Sequence, residues 1–131
     1  MAPSTLLSTI ERDQPASVID DDHLWRMTLG DSRLEREVLE IFVRQIAVML
    51  GRIAAADPAL AGASAHTLKG SARGIGAWRL ARAAELLEQA AAASHDRAAL
   101  ANAVEQLKAA AGETSAVIDA RLGGPPPAGN L

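Results

Sequence analysis

Apolar residues recur along this chain in steps of three and four. Between Arg33 and Ala56 they are Leu34, Val38, Ile41, Phe42, Ile46, Met49 and Ile53. That spacing lines one face of an α-helix. The positions between them include Glu35, Arg36, Glu37, Glu40, Arg44 and Arg52, which read as a solvated face. Three more stripes follow. Ala61, Ala65, Leu68, Ala72 and Ile75 form one, and Leu80, Ala84, Leu87 and Ala91 the next. Leu100, Val104, Leu107, Ala111, Thr114 and Ile118 form the last.

Punctuation between the stripes sets the helix ends. A short first helix is expected from Asp21 to Leu29, because Asp20, Asp21 and Asp22 supply a cap and a negative first turn. Gly30 stops it, and Asp31 or Ser32 caps a long helix from Arg33 to Ala56. At Asp57-Pro58 the Asp can cap, and Pro suits the first helical position because its missing N–H is not needed there. The next helix runs from Pro58 to Arg73, with Gly74 and Gly76 ending it. A fourth covers Ala77 to Ala93. Ser94 or Asp96 caps a fifth, Arg97 to Leu122. Short connections make neighbouring helices antiparallel. The expected fold is all-α: an antiparallel up-down-up-down four-helix bundle at residues 18–122, with the short first helix laid across one end. Residues 1–17 read as a flexible arm with one docking turn at Leu6, Leu7 and Ile10. Residues 123–131, rich in Gly and Pro, are expected to be disordered.

Composition agrees with this picture and narrows the functions. The chain has 131 residues, enough for one domain. Only 2% are aromatic, against the aromatic and β-branched habit of β folds. Ala and Leu, strong helix formers, fill the apolar share. Of the three aromatics, Phe42 lies on a core stripe. Trp25 either pins the first helix or faces a partner, and Trp78 is expected to pack near the Gly74–Gly76 turn. There is no Cys, so disulfides, thiolate metal sites and Cys nucleophiles are excluded. A net charge of −3 argues against nucleic acid as the main partner. No apolar run has the length of a membrane span, and Met1 to Asp13 does not read as a secretory leader. A cytoplasmic location is the natural expectation.

Three histidines could carry chemistry: His23, His66 and His95. None pairs with another at helical spacing, so no metal site is expected. His23, in an acidic first turn, and His95, in an inter-helix connection, read as surface residues. His66 differs. It follows the core residue Ala65 and is rotated about 100° from it, out of the core stripe. Lys69, Gly70 and Arg73 follow at i+3, i+4 and i+7, on the same face. An ordinary imidazole titrates at about pH 6.5, so near neutrality much of it is a free-base nucleophile able to take and pass on a phosphoryl group. A cation at i+3 can neutralise phosphoryl oxygens. Glycine inside a helix costs roughly 0.5–1 kcal/mol against Ala, so Gly70 needs a reason, and close approach of a partner's active site supplies one. A phosphate-binding loop at Gly70, Gly74 and Gly76 is poorly supported, since no strand precedes it and the order of Gly before Lys-Ser/Thr is not met.

The stretch Ala65-His66-Thr67-Leu68-Lys69-Gly70-Ser71-Ala72, with Ile75-Gly76-Ala77 and the Ala-Leu-Glu run to Glu88 behind it, resembles histidine-containing phosphotransfer (HPt) domains. Val18-Ile19-Asp20, Gly30-Asp31 and the helix carrying Phe42 resemble the family too, so the likeness covers about residues 18–122. It implies that His66 is the phosphoaccepting histidine, that Lys69 helps hold the phosphoryl group, and that Gly70 leaves room for the partner. It implies receiver domains of hybrid histidine kinases and response regulators as partners. They bring the phosphorylated Asp and Mg²⁺, and the chain needs no cofactor of its own. The chain is then expected to be a phosphorelay carrier and a monomer, not an enzyme, since no ATP-binding catalytic domain is recognisable in it. Two roles stay open for Arg73: a phosphate contact or a solvated helix-end charge. The rival function is a helical binding module that docks on a receiver or histidine kinase without carrying phosphate. The phosphoacceptor module of a chemotaxis-type kinase is a further alternative.

Overall fold

The computed structural model describes residues 17–55, 57–93 and 95–123. Within them the chain forms α1 (Asp21–Met27), α2 (Ser32–Ala55), α3 (Pro58–Ile75), α4 (Trp78–Ala93) and α5 (Arg97–Arg121). No β-strand occurs among the described residues. The four long helices close a ring, in which α2 and α4 each pack against both α3 and α5, and α1 rests on α3. The docking turn read at Leu6, Leu7 and Ile10, and the tail beyond Gly123, lie outside the described residues.

Aspartates start four of these five helices, all but α4. Asp20 accepts from the His23 N–H at 3.1 Å and Asp57 from the Leu60 N–H at 2.9 Å. Asp96 accepts from the Ala99 N–H at 2.9 Å, and Asp31 from the N–H groups of Arg33 and Leu34 at 2.9 and 3.1 Å. Each satisfies an otherwise unpaired N–H and is worth about 1 kcal/mol. Where Asp31 or Ser32 could cap α2 and Ser94 or Asp96 could cap α5, the aspartate accepts the helix N–H in both.

Between the helices lie Ile19, Leu24, Leu39, Ile46, Leu68, Leu80, Leu87, Leu107 and Ile118, all fully enclosed. Small residues set the spacing of α3 and α4. A Cβ built on Gly62 would stand 3.1 Å from the Ala91 Cβ, closer than carbon atoms normally pack. The pairs along this seam are Gly62 with Ala91, His66 with Glu88, and Arg73 with Glu85. Numbers rise on α3 as they fall on α4, so these two helices run antiparallel.

The stripe on α2 needs one correction. Ile41 is 59% exposed, whereas Leu39 is buried. At about 100° per residue, Ile41 points roughly 100° away from its neighbour Phe42, while Leu39, three residues earlier, stands only about 60° from it. The last stripe likewise omits Ala103, which is buried.

The end of α3 also differs from expectation. Gly74 stays helical and the helix continues to Ile75. Gly76 ends it at φ +82°, while the Ala77 N–H donates back to the Ala72 carbonyl at 2.8 Å. His23 is no free surface residue. Its Nε2 donates to the Gly74 carbonyl at 3.2 Å, and its ring meets Trp78 edge-on with centroids 5.0 Å apart. Trp78 Nε1 donates to Asp20 Oδ2 at 3.0 Å, and the Asp20 N–H donates to the Gly76 carbonyl at 2.9 Å. α1 is thereby clamped to the α3–α4 turn, and the Trp78 packing read from the sequence is what forms there. Trp25 does not pin α1 into the core, for it is more than half exposed.

Candidate functional site

α3 buries Ala61, Ser64, Ala65, Leu68, Ala72 and Ile75. This anchors the helix along one side and turns His66 outward, with 65% of its side chain exposed. Gly70, one turn on, is exposed as well, and a Cβ placed there would meet nothing within 4 Å. The bundle's own packing therefore places no demand for glycine at this position.

Lys69 is not displayed like His66. Its side chain is only 15% exposed, because it leans into the α3–α4 seam. There Nζ donates to Glu88 Oε1 at 2.6 Å, while Glu88 Oε2 lies 2.7 Å from His66 Nδ1. The Lys69 hydrogen bond, and behind it the His66 contact, hold the Glu88 carboxyl below its ordinary pKa range, against an opposing desolvation effect. An ionised carboxylate can only accept. The hydrogen between the two side chains therefore sits on His66 Nδ1, and in the neutral form of the ring the lone pair is on Nε2, on a side chain that is largely in solvent.

Along the chain Glu88 is only the last residue of an Ala-Leu-Glu run. It sits on α4, 22 residues from His66, and no local spacing joins the two. The antiparallel seam brings them together. The available signal was a carboxylate on the flank of α4, whose core face is Leu80, Ala84, Leu87 and Ala91.

Arg73 shares the outer face with His66. Its Nη2 donates to Glu85 Oε2 at 3.3 Å, and half its side chain is exposed. On the other side of His66 an open groove of about 640 Å³ runs between α3 and α4. Its walls are small, including Ala59, Gly62, Ala63, Ala91 and Ala92. His95 is exposed and far along the sequence from this face. Among the described residues no cluster of His, Asp or Glu is arranged to hold a metal ion. No helix there is long and apolar enough to cross a membrane.

The site brings together an exposed imidazole held at Nδ1 by a carboxylate, an ammonium on the same carboxylate, and bare backbone at Gly70. No match was found among curated proteins or solved structures. The family model of the Hpt domain matches residues 37–116, a span that contains His66, Lys69, Gly70 and Glu88. The chain belongs to the Hpt domain family, whose members serve histidine phosphotransfer in two-component signalling with receiver or kinase partners.

Proposed function

We propose that the chain is a phosphorelay intermediate in which His66 accepts a phosphoryl group from an aspartyl phosphate of one receiver domain and passes it to an aspartate of another. The observation that carries this reading is the carboxylate contact at His66 Nδ1, which makes Nε2 the basic nitrogen whenever the ring is neutral. In the forward step the Nε2 lone pair attacks phosphorus. A P–N bond forms, the P–O bond to the aspartyl group breaks, and that carboxylate leaves with the electron pair. The Nδ1 proton remains on the ring, so the product is an imidazolium, and the Glu88 carboxylate beside it balances the new charge. The second transfer is the same displacement in reverse.

Lys69 serves the incoming group. Its ammonium shares the Glu88 carboxylate with His66 and so stands beside the ring. A phosphoryl dianion on Nε2 offers it a second anionic partner. Gly70 admits the receiver's active site, and Mg²⁺ comes with the receiver rather than from this chain. In this reading residues 18–122 are the working domain, its four long helices alternate in direction, and the protein acts as a cytoplasmic monomer.

The test is incubation with a radiolabelled phosphorylated receiver domain, with His66→Gln as the control. Acid-labile label on the wild type and none on the variant is expected. Equal label on both removes the assignment of His66. A wild type that gains no label supports the docking-only alternative instead.

A further inference from the structure

On the outer face of α3, Lys69 is not the cation that an approaching partner meets first. Its ammonium is mostly enclosed and already bound to Glu88. Arg73 is the exposed one, with 51% of its side chain in solvent. It stands seven residues beyond His66, or roughly 10 Å along the helix axis. Gly70 lies between them in sequence and Gly74 follows directly, and a Cβ on either would touch nothing within 4 Å. Open space therefore adjoins the helix at both glycines, between and just beyond the imidazole and the guanidinium. Glu85 holds Arg73 through one exposed contact at 3.3 Å, and an ion pair of this kind is weak and easily exchanged. A guanidinium has five N–H donors, so most remain available for an incoming anion.

The whole-chain charge is −3. A partner that presents an acyl phosphate is itself anionic, and the average field of this chain repels it. A local exposed cation is needed to offset that field and orient the encounter. We propose that Arg73 is the docking cation of this face: it steers the anionic, acyl-phosphate-bearing surface of a receiver domain onto His66, exchanging Glu85 for the partner. This rests on the relay reading above. It assigns Arg73 to association, while Lys69 serves the transferred group.

The test measures the second-order rate of phosphoryl transfer from a phosphorylated receiver domain to the full chain over a range of salt concentrations. Parallel labelling by phosphoramidate, a small donor, reports the imidazole's own reactivity. Arg73→Gln is expected to lower the low-salt transfer rate about three- to tenfold, with the difference closing as salt rises. Arg73→Lys keeps the charge and retains most of the rate. Glu85→Gln frees the guanidinium and raises the rate. Phosphoramidate labelling stays comparable across the set. The proposal is overturned by an Arg73→Gln rate equal to wild type at low salt. It is also overturned by a loss that persists at high salt, or by an equal loss with phosphoramidate, since each of these marks a short-range or structural role. If the wild type itself takes no phosphate on His66, the relay reading fails first, and the two failures are told apart.

Discussion

Glu88 on α4 accepts from Nδ1 of His66 on α3 at 2.7 Å, and its other oxygen accepts from Lys69 Nζ at 2.6 Å. One carboxylate thus fixes the tautomer of an exposed imidazole and holds the adjacent ammonium in place. Glu88→Ala releases both. The ring then exchanges between tautomers, and phosphorylation of His66 is expected to slow about tenfold, the scale of one lost charge-assisted hydrogen bond. Glu88→Gln keeps a carbonyl acceptor for Nδ1–H and loses less. Nitrogen-15 NMR of the His66 ring reads the tautomer directly. A wild-type ring protonated at Nε2 removes the basis of this prediction.

Lys69→Ala is expected to leave the bundle folded, because the side chain lies in the seam of two helices whose core contacts are made by other residues. Phosphoryl transfer should fall at least tenfold, in line with the loss of one preorganised charge at a reacting phosphoryl group. Rapid-quench kinetics beside a melting curve separate the two effects. Wild-type transfer rates would make Lys69 an ordinary seam cation.

At Gly70 stability and function should move in opposite directions. Gly70→Ala meets no atom of the bundle, and removing a mid-helix glycine should stabilise the fold by about 0.5–1 kcal/mol. Gly70→Leu should leave the helix intact but weaken receiver binding, as measured by calorimetry. Undiminished affinity of the Leu variant would mean that no partner approaches the backbone here.

Gly76 behaves differently because the fold itself needs it. Its φ is +82°, and a Cβ would lie 3.0 Å from both the Asp20 Cβ and the Asp20 carbonyl oxygen. Gly76→Ala should cost at least about 1–2 kcal/mol from the left-handed backbone alone, with crowding against α1 added. Urea unfolding measures it, and an unchanged midpoint would show that the clamp between α1 and the α3–α4 turn is loose.

Acid should weaken that same clamp. The Trp78 hydrogen bond, with the His23 N–H behind it, holds the Asp20 carboxyl below its ordinary range. Such a group contributes stability that is fully present above its unfolded pKa, about 3.9, and is lost as the pH falls through the lower folded value. Glu88, depressed chiefly by Lys69, follows the same sign. Stability is expected to be insensitive to these two groups near pH 7 and to decline below about pH 4. Asp20→Asn should flatten the profile. An equally steep acid decline in that variant would assign it to other carboxylates.

Much of this molecule is legible along the chain, because helix stripes, Asp caps and glycine stops are local. Stripes at 3.6 residues per turn place every long helix within a few residues, and the aspartates at 20, 31, 57 and 96 are all caps. Errors arose where local rules under-determine the outcome. Ile41 fits a three-or-four spacing yet faces away from Phe42. Gly74 can end a helix and does not, since glycine permits a stop without imposing one.

That His66, Lys69 and Gly70 share one turn of one helix is likewise legible along the chain, whereas the burial of Lys69 in the seam is not. Their chemistry is completed by a residue no local pattern connects to them. Glu88 reaches His66 and Lys69 only because α3 and α4 lie antiparallel at a spacing that Gly62 and Ala91 allow. His23 reaches the Gly74 carbonyl only because α1 folds across the turn. The helices, their caps and the outward face carrying the histidine are local properties of the chain, since they depend on neighbours within one or two turns. Which nitrogen of His66 faces a carboxylate, and which cation, Lys69 or Arg73, is exposed, came from the packing of the helices. Both depend on side chains brought from another helix.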